Sequence, residues 1–272
     1  MIGFALTVLA AAAILPGIAF ADDQDVVDYR QHAMKTLGEQ VAAMGMMAQN
    51  KIPGDNFAVH AEILANAAAT AKSAFTPKVA GGKAKPEVWA KWDDFAKRLD
   101  ALAASAADLA KTAQQGGMAA AAPKMQAALA TCKSCHDTYS DATPISGQVA
   151  DDKGALDYRQ HVMKTLNEQS AELGLILSTA VPGDNVTSHI DALALAASVS
   201  LKAFEPKVQG GEAKPEVWSN WPDFQKRMTD FAAKTAEMSK VAHEQGPDQA
   251  LGLVVSALPC KSCHDVYRSE KK

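Results

Sequence analysis

Cys132-Lys133-Ser134-Cys135-His136 recurs unchanged as Cys260-Lys261-Ser262-Cys263-His264. The C-x-x-C-H pattern reads as an attachment sequence for a c-type haem. Its spacing has a chemical reason. Two thiols must reach two vinyl groups on one edge of a porphyrin, and cysteines at i and i+3 leave a helix from nearly the same side. The adjoining histidine then offers a ring nitrogen to the iron. Thioredoxin-like redox pairs and half zinc sites use similar spacing. The first needs a βαβ setting, which surrounds neither copy. The second needs another cysteine pair close by, and Cys132 and Cys260 are 128 positions apart.

Outward from the motifs, the whole chain repeats. Tyr29-Arg30-Gln31-His32-Ala33-Met34-Lys35-Thr36-Leu37 returns as Tyr158-Arg159-Gln160-His161-Val162-Met163-Lys164-Thr165-Leu166. Pro53-Gly54-Asp55-Asn56 returns as Pro182-Gly183-Asp184-Asn185, and Lys85-Pro86-Glu87-Val88-Trp89 as Lys214-Pro215-Glu216-Val217-Trp218. The offset is 129 and falls to 128 at the cysteine motifs. That is too long for a solenoid unit and marks a duplicated domain. Segment 143–153, with its Pro, Gly, Ser and Asp, reads as the linker between a first domain, 22–142, and a second, 154–272.

Each repeat reads as four helices. In the first, Met34, Leu37, Val41, Met44 and Ala48 step by three and four. A second stripe, Phe57, Ala61, Leu64, Ala68, Ala71 and Phe75, follows Pro53-Gly54, with Asp55 or Asn56 as its N-cap. Val88, Trp92, Phe95, Leu99, Leu102, Ala106, Leu109 and Ala113 form a third stripe, matched by Val217, Trp221, Phe224, Met228, Phe231 and Met238. The last helix begins after Gly116-Gly117 and carries Met125, Leu129, Cys132, His136 and Tyr139 along one side. Such seams mark amphipathic helices, and four with short connections predict an antiparallel four-helix bundle. The fold expected is all-α: two tandem bundles, each with one covalent haem in its interior.

Residues 1–21 hold no charge and end in Ala19-Phe20-Ala21 ahead of Asp22-Asp23. That is the apolar run and A-x-A cleavage site of an export signal, although Met1-Ile2-Gly3 lacks the usual basic residues. Export predicts a bacterial periplasmic protein with no membrane anchor after cleavage. All four cysteines lie in the two motifs, so none is left for a separate disulfide. The 27 Lys and Arg are interspersed with 31 Asp and Glu, for a net charge of −4. No basic tract suggests nucleic acid.

With C-x-x-C-H near the end of an exported four-helix domain and Arg-x-x-x-Met on the first helix, each repeat resembles the class II cytochromes c, the cytochrome c-prime family and its low-spin relatives. The resemblance covers nearly the whole mature chain, twice. It implies a four-helix bundle with one covalent haem, used for periplasmic redox or gas chemistry. A two-domain chain resembles a fused form of the family's usual homodimer. The family places the residue four after the first-helix Arg, here Met34 and Met163, on the distal side of the iron opposite His136 and His264. High-spin members leave the sixth position empty and low-spin members fill it with a Met sulfur; because a thioether is a competent iron ligand, Met34 and Met163 are expected as sixth ligands. The family places that Arg near the haem propionates, which implies this role for Arg30 and Arg159. A guanidinium can hold a carboxylate through two hydrogen bonds.

Two asymmetries separate the repeats. Arg268 stands four residues after His264, where the family commonly has a basic residue, but Ser140 holds that place in the first domain. Pro259 precedes Cys260 and is expected to kink its helix, where Thr131 can continue it. His32 and His161 point away from the Met face and are expected in solvent. His60 and His189 are expected at a boundary or surface, and the tryptophans are expected to pack.

Together these features predict a periplasmic dihaem electron carrier holding two haem c, with Cys132, Cys135, Cys260 and Cys263 as thioether donors. A nitric oxide- or carbon monoxide-binding protein with at least one five-coordinate haem is the alternative. Beyond the haem ligands there is no acid–base pair, nucleophile or second metal cluster, so no enzyme is expected. Periplasmic redox proteins are the expected partners, diatomic gases in the alternative. The two domains could pack as an intramolecular pseudo-dimer and exchange electrons.

Overall fold

The computed structural model describes residues 22–143 and 154–269. The expected signal segment, and all but the first residue of the expected linker, lie outside the described residues. The first half contains α1 (Asp23–Ala48), α2 (Phe57–Ala71), the short α3 (Glu87–Ala90) and α4 (Trp92–Tyr139). The second contains α5 (Gly154–Leu177), α6 (Val186–Ser200), α7 (Glu216–Ser219), α8 (Trp221–Glu244), α9 (Pro247–Leu251), α10 (Val254–Ala257) and α11 (Cys260–Tyr267).

Local chemistry sets the helix ends. The Asp22 carboxylate accepts the Gln24 N–H at 2.6 Å, and Asp23 and Asp25 sit at the positive end of α1. Helix α4 is two helices joined at Gly117, whose φ of 69° and ψ of −172° would strain any other residue. Its arms, 92–116 and 118–139, pack with α1 and α2 as the four-helix bundle. Gly246, at φ 100°, makes the matching break in the second half.

The expectation of one last helix per repeat fails in the second half. There the segment is split into α9, α10 and α11, with Gly252 at the first break and Pro259 at the second. Pro259 has no N–H to give to a preceding turn, and its ring blocks the helix before it. Thr131 in the first half keeps its backbone N–H and donates its hydroxyl to Ala128 O at 2.6 Å, so that helix runs on.

The two bundles pack against each other through α1 on α5 and α2 on α6. This explains why α1 buries 16 of its 26 residues while α8 buries only 6 of 24: α1 has a second buried face. That face carries Tyr29, Ala33, Thr36, Gln40 and Ala43, and α5 answers with Tyr158, Val162, Thr165, Gln169 and Glu172. The contact is pseudo-symmetric. The Gln40 amide donates to Thr165 Oγ1 at 2.7 Å, and the Gln169 amide to Thr36 Oγ1 at 2.9 Å. The Tyr158 hydroxyl meets His60 Nε2 at 2.9 Å, and the Tyr29 hydroxyl meets His189 Nε2 at 2.7 Å.

The histidine expectations are corrected accordingly. His60 and His189 are not at a surface; each is 2 % exposed in the seam. His32 and His161 are not free in solvent either. They pair across the seam with Glu168 and Glu39. Polar side chains on an outward helix face look solvated in one dimension, and partners far away in the chain bury them here.

Candidate haem sites

In the first bundle an apolar cleft, partly open to solvent, runs between the helices. Leu37 and Val41 come from α1, Leu64 from α2, and Leu109, Met125 and Cys132 from the two arms of α4. Every lining group is apolar except the Cys132 thiol. A flat apolar macrocycle joined to that sulfur needs such a wall, so the residues present fit a covalent haem. Cys135 is half-buried one turn on, and burial pushes both thiols above the usual range. No disulfide joins the described cysteines. In the second bundle Cys260 is exposed and Cys263 half-buried.

His136 is positioned by its own chain end. Its Nδ1 lies 2.9 Å from Ala142 O. A carbonyl can only accept, so Nδ1 carries the proton and Nε2 keeps the lone pair that a metal requires. Ser140 makes the turn that brings Ala142 back. Its hydroxyl accepts the Ala142 N–H at 3.0 Å and donates to Lys83 O at 3.3 Å. In the second half Arg268 occupies this place and Glu212 replaces Lys83; the Arg268 Nε donates to the Glu212 carboxylate at 2.5 Å. The Ser140/Arg268 difference is thus one side of a paired exchange. Burial, then the Arg268 charge, holds the His264 imidazole below its ordinary value.

Beneath each motif lies a triad that sequence reading missed. The Tyr139 hydroxyl donates to Asp94 at 2.5 Å, the Arg98 Nε donates to the same carboxylate at 2.8 Å, and Arg98 also donates to Ser134 O at 3.1 Å. Tyr267, Asp223, Arg227 and Ser262 O repeat the arrangement. The hydrogen bonds to Tyr139 and Arg98 hold the Asp94 carboxyl below the usual range. The i, i+4 Asp–Arg spacing was a visible signal, but its tyrosine partner lies over 40 residues on.

Arg30 is 3 % exposed, and its terminal nitrogens donate to Val79 O at 3.1 Å and Gly81 O at 2.9 Å. The cation lies near the rings of Phe75 and Trp89, at 5.1 and 5.4 Å from their centroids. Arg159 treats Val208 O, Gly210 O, Phe204 and Trp218 in the same way. The contacts seen make both arginines loop anchors, a role the sequence reading did not give them. The loop in turn pairs with the end of the motif helix, Lys85 N–H to Tyr139 O at 3.0 Å and Asp141 N–H to Lys83 O at 2.9 Å. Met34 lies one turn before Leu37 on the cleft-lining face of α1, half-buried against the core, and Met163 is half-buried in the second bundle.

Known proteins match about half of this chain. The family described as Cytochrome C' matches residues 25–140 and again 154–268. Cytochrome c' of Alcaligenes xylosoxydans xylosoxydans is 31 % identical over 129 residues, which is 46 % of this chain and 100 % of that protein. Cytochrome c' of Pararhodospirillum photometricum is 33 % identical over 129 residues, 44 % of this chain and 100 % of its own. A nitrosyl complex of a variant of cytochrome c prime from Alcaligenes xylosoxidans aligns at 27 % identity and a TM-score of 0.43, covering 45 % of this chain and 99 % of that one.

Proposed function

The chain belongs to the cytochrome c' family, one family domain in each half, and from that premise we propose that it is a dihaem electron carrier of the bacterial periplasm. The family binds haem c. The observation that carries the reading is the duplication of the C-x-x-C-H motif in two bundles that share one seam. Cys132, Cys135 and His136 would hold one haem, and Cys260, Cys263 and His264 the other, with Met34 and Met163 as sixth ligands. When bound, the haem supplies an iron that cycles between ferric and ferrous states.

The chain's own residues do the rest. The thiols supply two thioethers per site, which make the cofactor permanent. The Ala142 carbonyl keeps His136 in the tautomer with Nε2 free. The leucines and methionines give the cleft an apolar wall, and a low-polarity surround with a thioether ligand favours electron transfer over substrate chemistry. Arg30 and Arg159 keep N–H donors beyond those given to the loop, and a propionate is the second partner we assign to them. The chain acts as a carrier rather than an enzyme. Its partners are periplasmic redox proteins, and export through residues 1–21 delivers it to them.

The alternative is a nitric oxide- or carbon monoxide-binding protein with at least one five-coordinate haem. Optical and electron paramagnetic spectra of the purified protein, before and after carbon monoxide, separate the two. Two low-spin haems that ignore the gas are the expected result. High-spin signals that bind it transfer the assignment to gas binding, and absence of haem after expression with a maturation system refutes both.

A further inference from the structure

We propose that the seam is built to join unlike halves: its outer rungs set a small residue against a large one, so that the first bundle fits the second better than either fits a copy of itself. The register comes from a pair of hydrogen bonds. Gln40 reaches Thr165 and Gln169 reaches Thr36, so α1 and α5 run antiparallel, with Thr36 opposite Gln169 and Gln40 opposite Thr165. One helical turn outward at each end, Ala33 comes opposite Glu172 and Ala43 opposite Val162. All four are buried, none more than 2 % exposed. Glu172 fills its end of the seam: its Oε2 accepts the Gln169 amide at 2.5 Å and lies 3.2 Å from His189 Nδ1 on α6.

The polar contacts along α1 and α5 do not tell one half from the other. Tyr29, Thr36 and Gln40 have the same residue types at Tyr158, Thr165 and Gln169. The rim pairs repeat too: His32 and Lys35 meet Glu168, and His161 and Lys164 meet Glu39. A half packed in this register on its own copy would keep all of these partners.

The outer rungs differ. The first half on itself would set Ala33 against Ala43 at both ends, leaving gaps that forfeit dispersion contacts. The second half on itself would set Val162 against Glu172 at both ends, which overpacks the seam and buries two acidic side chains where the unlike pairing buries one. Pairing unlike halves gives each end one small and one large residue. The face is therefore shaped for the other half of the chain, not for a second copy of the same half.

The intact chain can carry every one of these rungs at a single end. Wild type holds Ala–Glu. Ala33→Val makes the Val–Glu rung of the second half on itself, and Glu172→Ala makes the Ala–Ala rung of the first half on itself. Both changes together make the Val–Ala rung already present between positions 162 and 43. The test is urea unfolding of the haem-loaded protein and these variants, followed by far-ultraviolet circular dichroism. Ala33→Val is expected to raise the unfolding constant about tenfold more beside Glu172 than in the Glu172→Ala background. The helix-propensity cost of valine is common to both backgrounds and cancels. An Ala33→Val chain that folds only when Glu172→Ala accompanies it gives the same answer more strongly. Ala43→Val, alone and with Val162→Ala, repeats the comparison at the other end through small apolar changes, so that folded variants are in hand. Equal fold-changes in the two backgrounds, at either end, would overturn the proposal.

Discussion

Lowering the pH should destabilise this protein through His60, and the size follows from where that residue sits. Burial first, and the His161 charge second, lower the His60 imidazole to about 3 in the folded chain. Its Nδ1–H donates to Gln40 Oε1 at 2.8 Å, and the Tyr158 hydroxyl donates to Nε2 at 2.9 Å. Both nitrogens are used by the neutral ring, and a second proton would turn one donor against another. The folded value lies below the unfolded value of 6.5. The contribution is therefore complete above pH ~6.5 and is lost as pH falls toward 3, where only the unfolded chain takes the proton. At about 1.4 kcal/mol per pH unit, the loss is roughly 2 kcal/mol at pH 5 and approaches about 5 kcal/mol below pH 3. The assay is urea unfolding of the haem-loaded protein at pH 7 and pH 5, beside His60→Gln. Glutamine can still donate to Gln40 and accept from Tyr158 but does not titrate. The wild type should lose about 2 kcal/mol more than the variant over this interval. Equal losses would refute the reasoning, since every other titrating group is common to both proteins.

Met34→Ala should convert the first haem to a high-spin, carbon monoxide-binding state while the second is unchanged, read from optical spectra; an unaltered first site removes Met34 from the ligands. Ser140→Ala should free Ala142 from the turn and weaken the His136 Nδ1–H hydrogen bond, leaving a poorer imidazole donor. A potentiometric titration should then show the first haem's potential raised and the second's constant. Leu109→Ala, at a position 0 % exposed on the cleft wall, should cost about 2–5 kcal/mol in urea unfolding, and a loss under about 1 kcal/mol would mean the wall collapses around the gap.

The stripe Leu37, Val41 and Met44 was legible because a helix period is a property of consecutive residues, and the break at Gly117 because only glycine takes that backbone cheaply. The same stripe reading missed the other half of α1. Tyr29, Thr36 and Gln40 also recur at helical spacing, but polar side chains on an outward face look the same whether water or a second bundle covers them. The kink at Pro259 was legible from proline chemistry; the complete division of the segment into α9, α10 and α11 depended on Gly252 as well.

By itself the sequence determined the chemistry held within five consecutive residues: two thiols and an imidazole at helical spacing, written twice. It also determined the duplication and the helical class, since these too are local patterns repeated. Only the tertiary structure decided what surrounds them. It committed Arg30 to Val79 and Gly81, turned Ser140 into the support of His136 through Ala142, and buried Glu172 beside His189. Each of these depends on groups that the chain order does not align on one helix face. Hydrogen-bond partners are chosen by direction and distance in space, and the packing of one helix on another is what sets both.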